Sequence, residues 1–130
     1  MQEESTTVAI AERVREALDG GDLSAVTELL DPAVRWGAPD DMEGGCQNRT
    51  QVLDWYQRGR EAGTRARVTE VVAKGDKILV GLKVRGTPAA EELGGEADRW
   101  QVLTVAGDRV VDIRAFDDRD EAASRVGLPS

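Results

Sequence analysis

The stretch Arg65-Ala66-Arg67-Val68-Thr69-Glu70-Val71-Val72-Ala73-Lys74-Gly75-Asp76-Lys77-Ile78-Leu79-Val80-Gly81-Leu82-Lys83-Val84-Arg85 decides the fold. Residues 65–73 and 78–85 are runs rich in β-branched side chains, and Gly75-Asp76 between them suits a tight turn, so the stretch reads as a β-hairpin. Ile78, Val80, Leu82 and Val84 recur with period two and share one face of the second strand. A loop over 86–96, holding Pro88 and Gly94-Gly95, leads to a second hairpin of strands 97–106 and 109–117 turning at Gly107-Asp108. Both faces of this second hairpin are apolar. Trp100 and Val102 lie opposite Leu103 and Val105 on its first strand, and Val111, Ile113 and Ala115 oppose Val110 and Phe116 on its second. A sheet with one wet face alternates more cleanly, so helices are expected on one side and a second subunit on the other. Residues 118–126 read as a short closing helix.

Upstream the period changes. Val8, Ala11, Val14 and Leu18 recur at spacings of three and four, which predicts a helix, capped by Ser5, Thr6 or Thr7 and ended by Gly20-Gly21. A second short helix follows Asp22 and presents Leu23, Val26, Leu29 and Leu30, until Asp31-Pro32 stops it. Residues 33–36 read as a short strand and 37–45 as an extended loop. Asn48 with Gln51 resembles a capping box opening a third helix, whose buried side is Val52, Leu53, Trp55 and Tyr56. The whole is one α+β domain over 1–130, with 1–6 expected as a disordered tail and 127–130 as a frayed end.

Composition narrows the function classes. The chain of 130 residues has a formal net charge of −8, which repels phosphate backbones and anionic lipid, so no nucleic acid or membrane partner is expected. The first residues are acidic and polar, unlike a secretory signal, and no apolar run approaches the roughly 20 residues that span a bilayer, so a cytoplasmic location is expected. Cys46 is the single cysteine, which rules out an internal disulfide, and histidine is absent. Without histidine the commonest near-neutral acid/base group and the commonest zinc ligand are missing, and no metal or cofactor is expected.

Several phrases resemble the nuclear transport factor 2-like superfamily, specifically its SnoaL-like bacterial branch. They are Ala17-Leu18-Asp19-Gly20-Gly21-Asp22-Leu23, Trp36 with the Gly/Pro loop, Asn48-Arg49-Thr50, and Val110-Val111-Asp112-Ile113-Arg114-Ala115-Phe116-Asp117-Asp118-Arg119. The resemblance runs from about Val8 to Val126. It implies a cone-shaped, strongly curved mixed or antiparallel sheet, a cystatin-like roll, with three N-terminal helices packed on its concave face around a pocket. It also implies a homodimer built on the outer face of the sheet. Members include ketosteroid isomerases, polyketide cyclases, dehydratases, epoxide hydrolases and non-catalytic binding domains, and fold does not choose among them.

The residues themselves fit those chemistries unevenly. Steroid isomerases of this superfamily need a tyrosine on the first helix, an aspartate base after the first strand and a second acid on the third long strand. Here the matching positions fall on Val14, Trp36 and Trp100. Epoxide hydrolases of the superfamily use two aspartates with an arginine between; Asp98 and Arg99, being adjacent on a strand, point to opposite faces and spoil a trio with Asp117. Asp40 and Asp41 on the loop at the expected pocket mouth are the candidate catalytic carboxylates, although loop aspartates after a proline commonly serve as solvated turn residues. Cys46 and Arg49 read as structural, and Glu91, Glu92 and Glu96 as a solvated surface or lid. The tryptophans carry most information. An aromatic wall suits a flat or cyclic apolar ligand, and the same indoles could instead fill the cone as core.

Three functions follow as expectations. The first is a pocket for an apolar, cyclic small molecule lined by Val14, Trp36, Trp55, Tyr56, Trp100, Val102, Ile113 and Asp117. The second is an isomerase, cyclase or hydratase using Asp40 or Asp41 as base. The third is a dimeric interaction domain with a vestigial pocket. The residues leave open whether the protein is an enzyme.

Overall fold

In the computed structural model, which describes residues 2–20, 23–38, 41–92 and 94–128, the order is α1 (Gln2–Gly20), α2 (Leu23–Leu29), β1 (Leu30–Ala38), β2 (Asp41–Cys46), α3 (Arg49–Glu61), β3 (Arg65–Lys74), β4 (Lys77–Arg85), α4 (Pro88–Glu92), β5 (Ala97–Ala106), β6 (Arg109–Phe116) and α5 (Arg119–Val126). Both expected hairpins form. Gly75 (φ 62°) and Gly107 (φ 63°) supply the left-handed backbone that their turns require and that side chains resist. The strands make one curved, open, six-stranded mixed sheet in the order β2-β1-β6-β5-β4-β3, antiparallel throughout except where β1 runs parallel to β6.

Register decides which side chains look inward. Val80 pairs with Gln101 and Ile78 with Leu103 across β4 and β5, and Leu103 pairs with Ile113 on β6. These positions form the concave face, closed by Ile10, Ala11, Val14 and Ala17 of α1, Val26 and Leu29 of α2, and Val52 of α3. The spacing of those α1 residues puts them on one stripe, so a single helix buries them all. The opposite face is covered in part by α5. Ala122, Ala123 and Val126 pack there on Leu79, Val102 and Phe116. Asp118 caps α5 by accepting from the Asp120 N–H at 3.0 Å, Gly127 closes it at φ 92°, and Arg119 holds Glu70 of β3 through two bonds of 2.6 and 3.1 Å.

The structure departs from the sequence reading in several places. α1 begins at Gln2, so the tail expected over 1–6 is helical from its second residue, and Thr7 is buried within the helix instead of capping it. Leu30 opens β1 rather than closing α2, and the strand passes through Asp31-Pro32. Pro32 sits within it while the Asp31 carboxylate accepts from the Ala33 N–H at 2.8 Å. The expected loop over 37–45 contains strand β2. Its Gly45 is the reason: a Cβ there would lie 1.9 Å from the Trp36 carbonyl oxygen, so only glycine lets the two backbones approach this closely. Asp22 and residues 129–130 lie outside the described residues.

Candidate functional site

The site is built on α3. Asn48 accepts from the Gln51 N–H at 2.9 Å while the Gln51 side chain accepts from the Gln47 N–H at 2.7 Å, a reciprocal cap that fixes where the helix starts. Arg49 donates to the Leu30 carbonyl at 3.3 Å and ties that start to β1. With the helix so placed, Val52 is fully buried and Tyr56 packs against the same core, while Gln51, Asp54, Trp55, Arg58 and Gly59 line a cavity between α3 and the concave sheet. At the other side Asp19, near the end of α1, accepts from the Val68 N–H at 2.8 Å and pins that helix to β3.

The cavity holds about 990 Å³, at the upper end of the range for small-molecule sites. Its aromatic wall is one cluster. Trp36 lies 4.6 Å from Trp55 between ring centroids at 61°, 5.1 Å from Tyr56, and Trp55 is 5.9 Å from Tyr56 at 78°. The two edge-on contacts of Trp55 add roughly 0.5–1.5 kcal/mol each beyond burial and hold the rings in place. Trp36 is 9% exposed, whereas Trp55 is 52% exposed and offers an indole to an incoming molecule.

Tyr56 shares a hydrogen bond with Gln101, and burial pushes its phenol up to about 12 against the opposing effect of that bond. It is therefore a neutral hydrogen-bonding group at any ordinary pH. Cys46 borders the same cavity; burial pushes its thiol up and the nearby Arg58 charge opposes the shift. A raised thiol pKa leaves little thiolate, so Cys46 is a poor nucleophile here. Among the described residues no group of acidic, cysteine or histidine side chains could hold a metal ion, and no helix is long and apolar enough to cross a membrane.

The structure sorts the expected site residues. It brings Trp36, Trp55 and Tyr56 to the cavity. Val14 and Ile113 instead line a small void of about 20 Å³ beside it, bordered also by Tyr56 and Gln101. Val102 is placed differently from the sequence reading, in the outer cluster under α5, whereas Trp100 touches both sides. Trp100 borders the cavity and also packs against the outer cluster under α5 with Val102, its indole N–H beside Gly81 and hydrogen-bonded to Glu70. Alternation put Trp100 and Val102 on one face correctly; register then assigns that face outward and gives the inward positions to Arg99, Gln101 and Leu103. Asp117 is exposed beyond the end of β6 and is not among the lining residues. Asp40 lies outside the described residues, and for Asp41 only its place as the first residue of β2 is described.

Sequence reasoning passed over Gln101, Arg58 and Arg65, all of which line the cavity. For Gln101 a signal existed: it is the polar residue in an otherwise apolar stretch of β5, and it is 6% exposed.

Comparison with known proteins agrees with this architecture. A protein provisionally described as a ketosteroid isomerase, from Kribbella flavida, superposes with a TM-score of 0.71 at 20% identity, over 88% of this chain and 78% of that one. A provisional polyketide cyclase from Sinorhizobium meliloti gives 0.66 at 23%, over 83% and 94%. An LEH-like epoxide hydrolase of M. tuberculosis gives 0.64 at 13%, over 95% and 91%. At these identities the likeness is one of fold. No curated protein matches the chain. The family model for the SnoaL-like domain matches residues 11–113, and the chain belongs to that family, within the nuclear transport factor 2-like superfamily.

Proposed function

We propose that the protein is a small-molecule binding domain whose cavity takes an apolar, cyclic compound. One observation carries this reading: a cavity of about 990 Å³ walled by the Trp36, Trp55 and Tyr56 cluster, with Trp55 half exposed toward solvent. An indole left open beside a concave space is where a flat apolar ring removes most surface from water. The test is calorimetric titration with 2-naphthamide, a neutral bicyclic probe. Saturable binding is expected, weakened about two- to tenfold in Trp55→Ala, the equivalent of one lost aromatic contact. Absence of binding up to the solubility limit of the probe would overturn the reading.

A second reading, an isomerase-, cyclase- or hydratase-type enzyme, is supported by Tyr56, a neutral phenol hydrogen-bonded to Gln101 on the cavity wall. Its base would be Asp40 or Asp41, and two structural neighbours carry the provisional descriptions ketosteroid isomerase and polyketide cyclase. The homodimer expected through the outer face is kept as a proposal, for the part of that face beside α5. A chain that sediments as a monomer at micromolar concentration would count against it.

A further inference from the structure

Among the described residues, the charge bordering the cavity runs opposite to the charge of the chain. Acidic residues outnumber basic ones 25 to 17 overall. Among the described residues bordering the cavity, Arg58, Arg60, Arg65 and Arg99 stand against Asp19 and Asp54. Asp19 is already engaged by the Val68 N–H. Three of the arginines make their hydrogen bonds to main-chain oxygens: Arg58 to Asp54, Arg65 to Arg60 and Thr64, and Arg99 to Asp98. A main-chain oxygen satisfies one donor of a guanidinium that has five and leaves its charge without an opposite charge.

Arg99 is half-buried at an inward position of β5, two residues from Gln101 and paired across the sheet with Leu82. Arg58 stands one turn beyond Trp55 on the cavity face of α3. Among the described residues, the cationic ones at the cavity are arginines, whose planar fork matches the two oxygens of a carboxylate where lysine offers only a point charge.

We propose that the ligand of this cavity is a cyclic apolar compound bearing a carboxylate, its ring against Trp36 and Trp55 and its carboxylate held by Arg99 and Arg58. This rests on the binding reading above and adds the charge of the ligand. The net negative charge of the chain disfavours anions elsewhere, so the arginines bordering the cavity draw such a molecule to it.

The experiment compares 2-naphthoate with 2-naphthamide, which share shape and differ in charge, by calorimetry at low and at high ionic strength. The naphthoate is expected to bind about tenfold tighter at low ionic strength, as for one charge-assisted hydrogen-bonded contact, with the gap narrowing as salt rises. Arg99→Gln and Arg58→Gln are each expected to weaken the naphthoate more than the naphthamide and so to bring the naphthoate-to-naphthamide ratio toward one. Arg58 is exposed on its helix, so Arg58→Gln carries the test should Arg99→Gln fail to fold. If the naphthamide binds as well as the naphthoate, or the folded variants keep the full preference, the carboxylate inference is overturned while cavity binding stands. If neither compound binds, both readings fall.

Discussion

Replacing Gly45 with alanine puts a Cβ 1.9 Å from the Trp36 carbonyl oxygen, 2.8 Å from the Gly37 Cα and 2.9 Å from the Trp36 carbonyl carbon. All three are backbone atoms, so no rotamer change relieves the contact. Carbon and carbonyl oxygen that are not bonded approach to about 3.3 Å, so β1 and β2 must part by roughly 1.4 Å. Because β2 is an edge strand joined to the sheet only through β1, it can swing away without unfolding the core. The expected cost is that of local overpacking, about 1–3 kcal/mol, which at this chain length lowers Tm by roughly 4–12 °C. Gly59→Ala is the control. It lies within α3, its added Cβ would find Thr64 Cβ at 3.7 Å, and a helical Gly→Ala change should stabilise by about 0.5–1 kcal/mol. Thermal unfolding followed by circular dichroism reads both. If Gly45→Ala melts at or above the wild-type temperature, β2 does not lie against Trp36 and this wall of the cavity is wrongly described.

Tyr56 is the single tyrosine, so phenolate absorbance reports on it alone, and its midpoint in the folded protein is expected near pH 12. Because its folded pKa is raised, its contribution to stability is complete below about pH 10 and is lost as pH rises toward about 12, by at most about 3 kcal/mol; a folded-state midpoint near pH 10 would refute the burial. Glu70 is held below the usual carboxylate range by its bonds to Arg119. That contribution is present above the ordinary value of 4.5 and lost as pH falls through the lowered one, so Glu70→Gln should flatten the acid limb of a Tm-against-pH profile. Cys46 should alkylate slowly at neutral pH, with the rate rising only above the ordinary thiol range, and more slowly still in Arg58→Gln, where the opposing charge is gone; fast neutral alkylation would contradict the raised pKa.

The parts of the fold legible in sequence were those set by local chemistry. Gly75-Asp76 and Gly107-Asp108 between period-two runs specify their hairpins, and Asn48 with Gln51 specifies the start of α3, because each signal acts within a few residues. The candidate site needed information that is not local. Period two says that Trp100 and Val102 share a face, and says nothing of whether that face is concave; only the pairing of Val80 with Gln101 and the seat of α5 decide it. β2 was hidden because Gly44-Gly45 carries the composition of a loop, while the reason for Gly45 is a backbone contact with Trp36 that exists only once the sheet is assembled. The arginines are scattered through the sequence at 58, 60, 65 and 99, and the fold gathers them around one cavity.

The three indole N–H signals in a ¹H–¹⁵N spectrum test the site most directly, since the chain has three tryptophans, Trp36 on β1, Trp55 on α3 and Trp100 on β5. On titration with 2-naphthoate the signals of Trp36 and Trp55 are expected to shift and saturate together, while that of Trp100, held by Glu70 on the outer face, stays in place. A shift confined to Trp100, or no shift in Trp36 and Trp55 at saturation, would contradict an aromatic cavity between α3 and the concave sheet as the binding site.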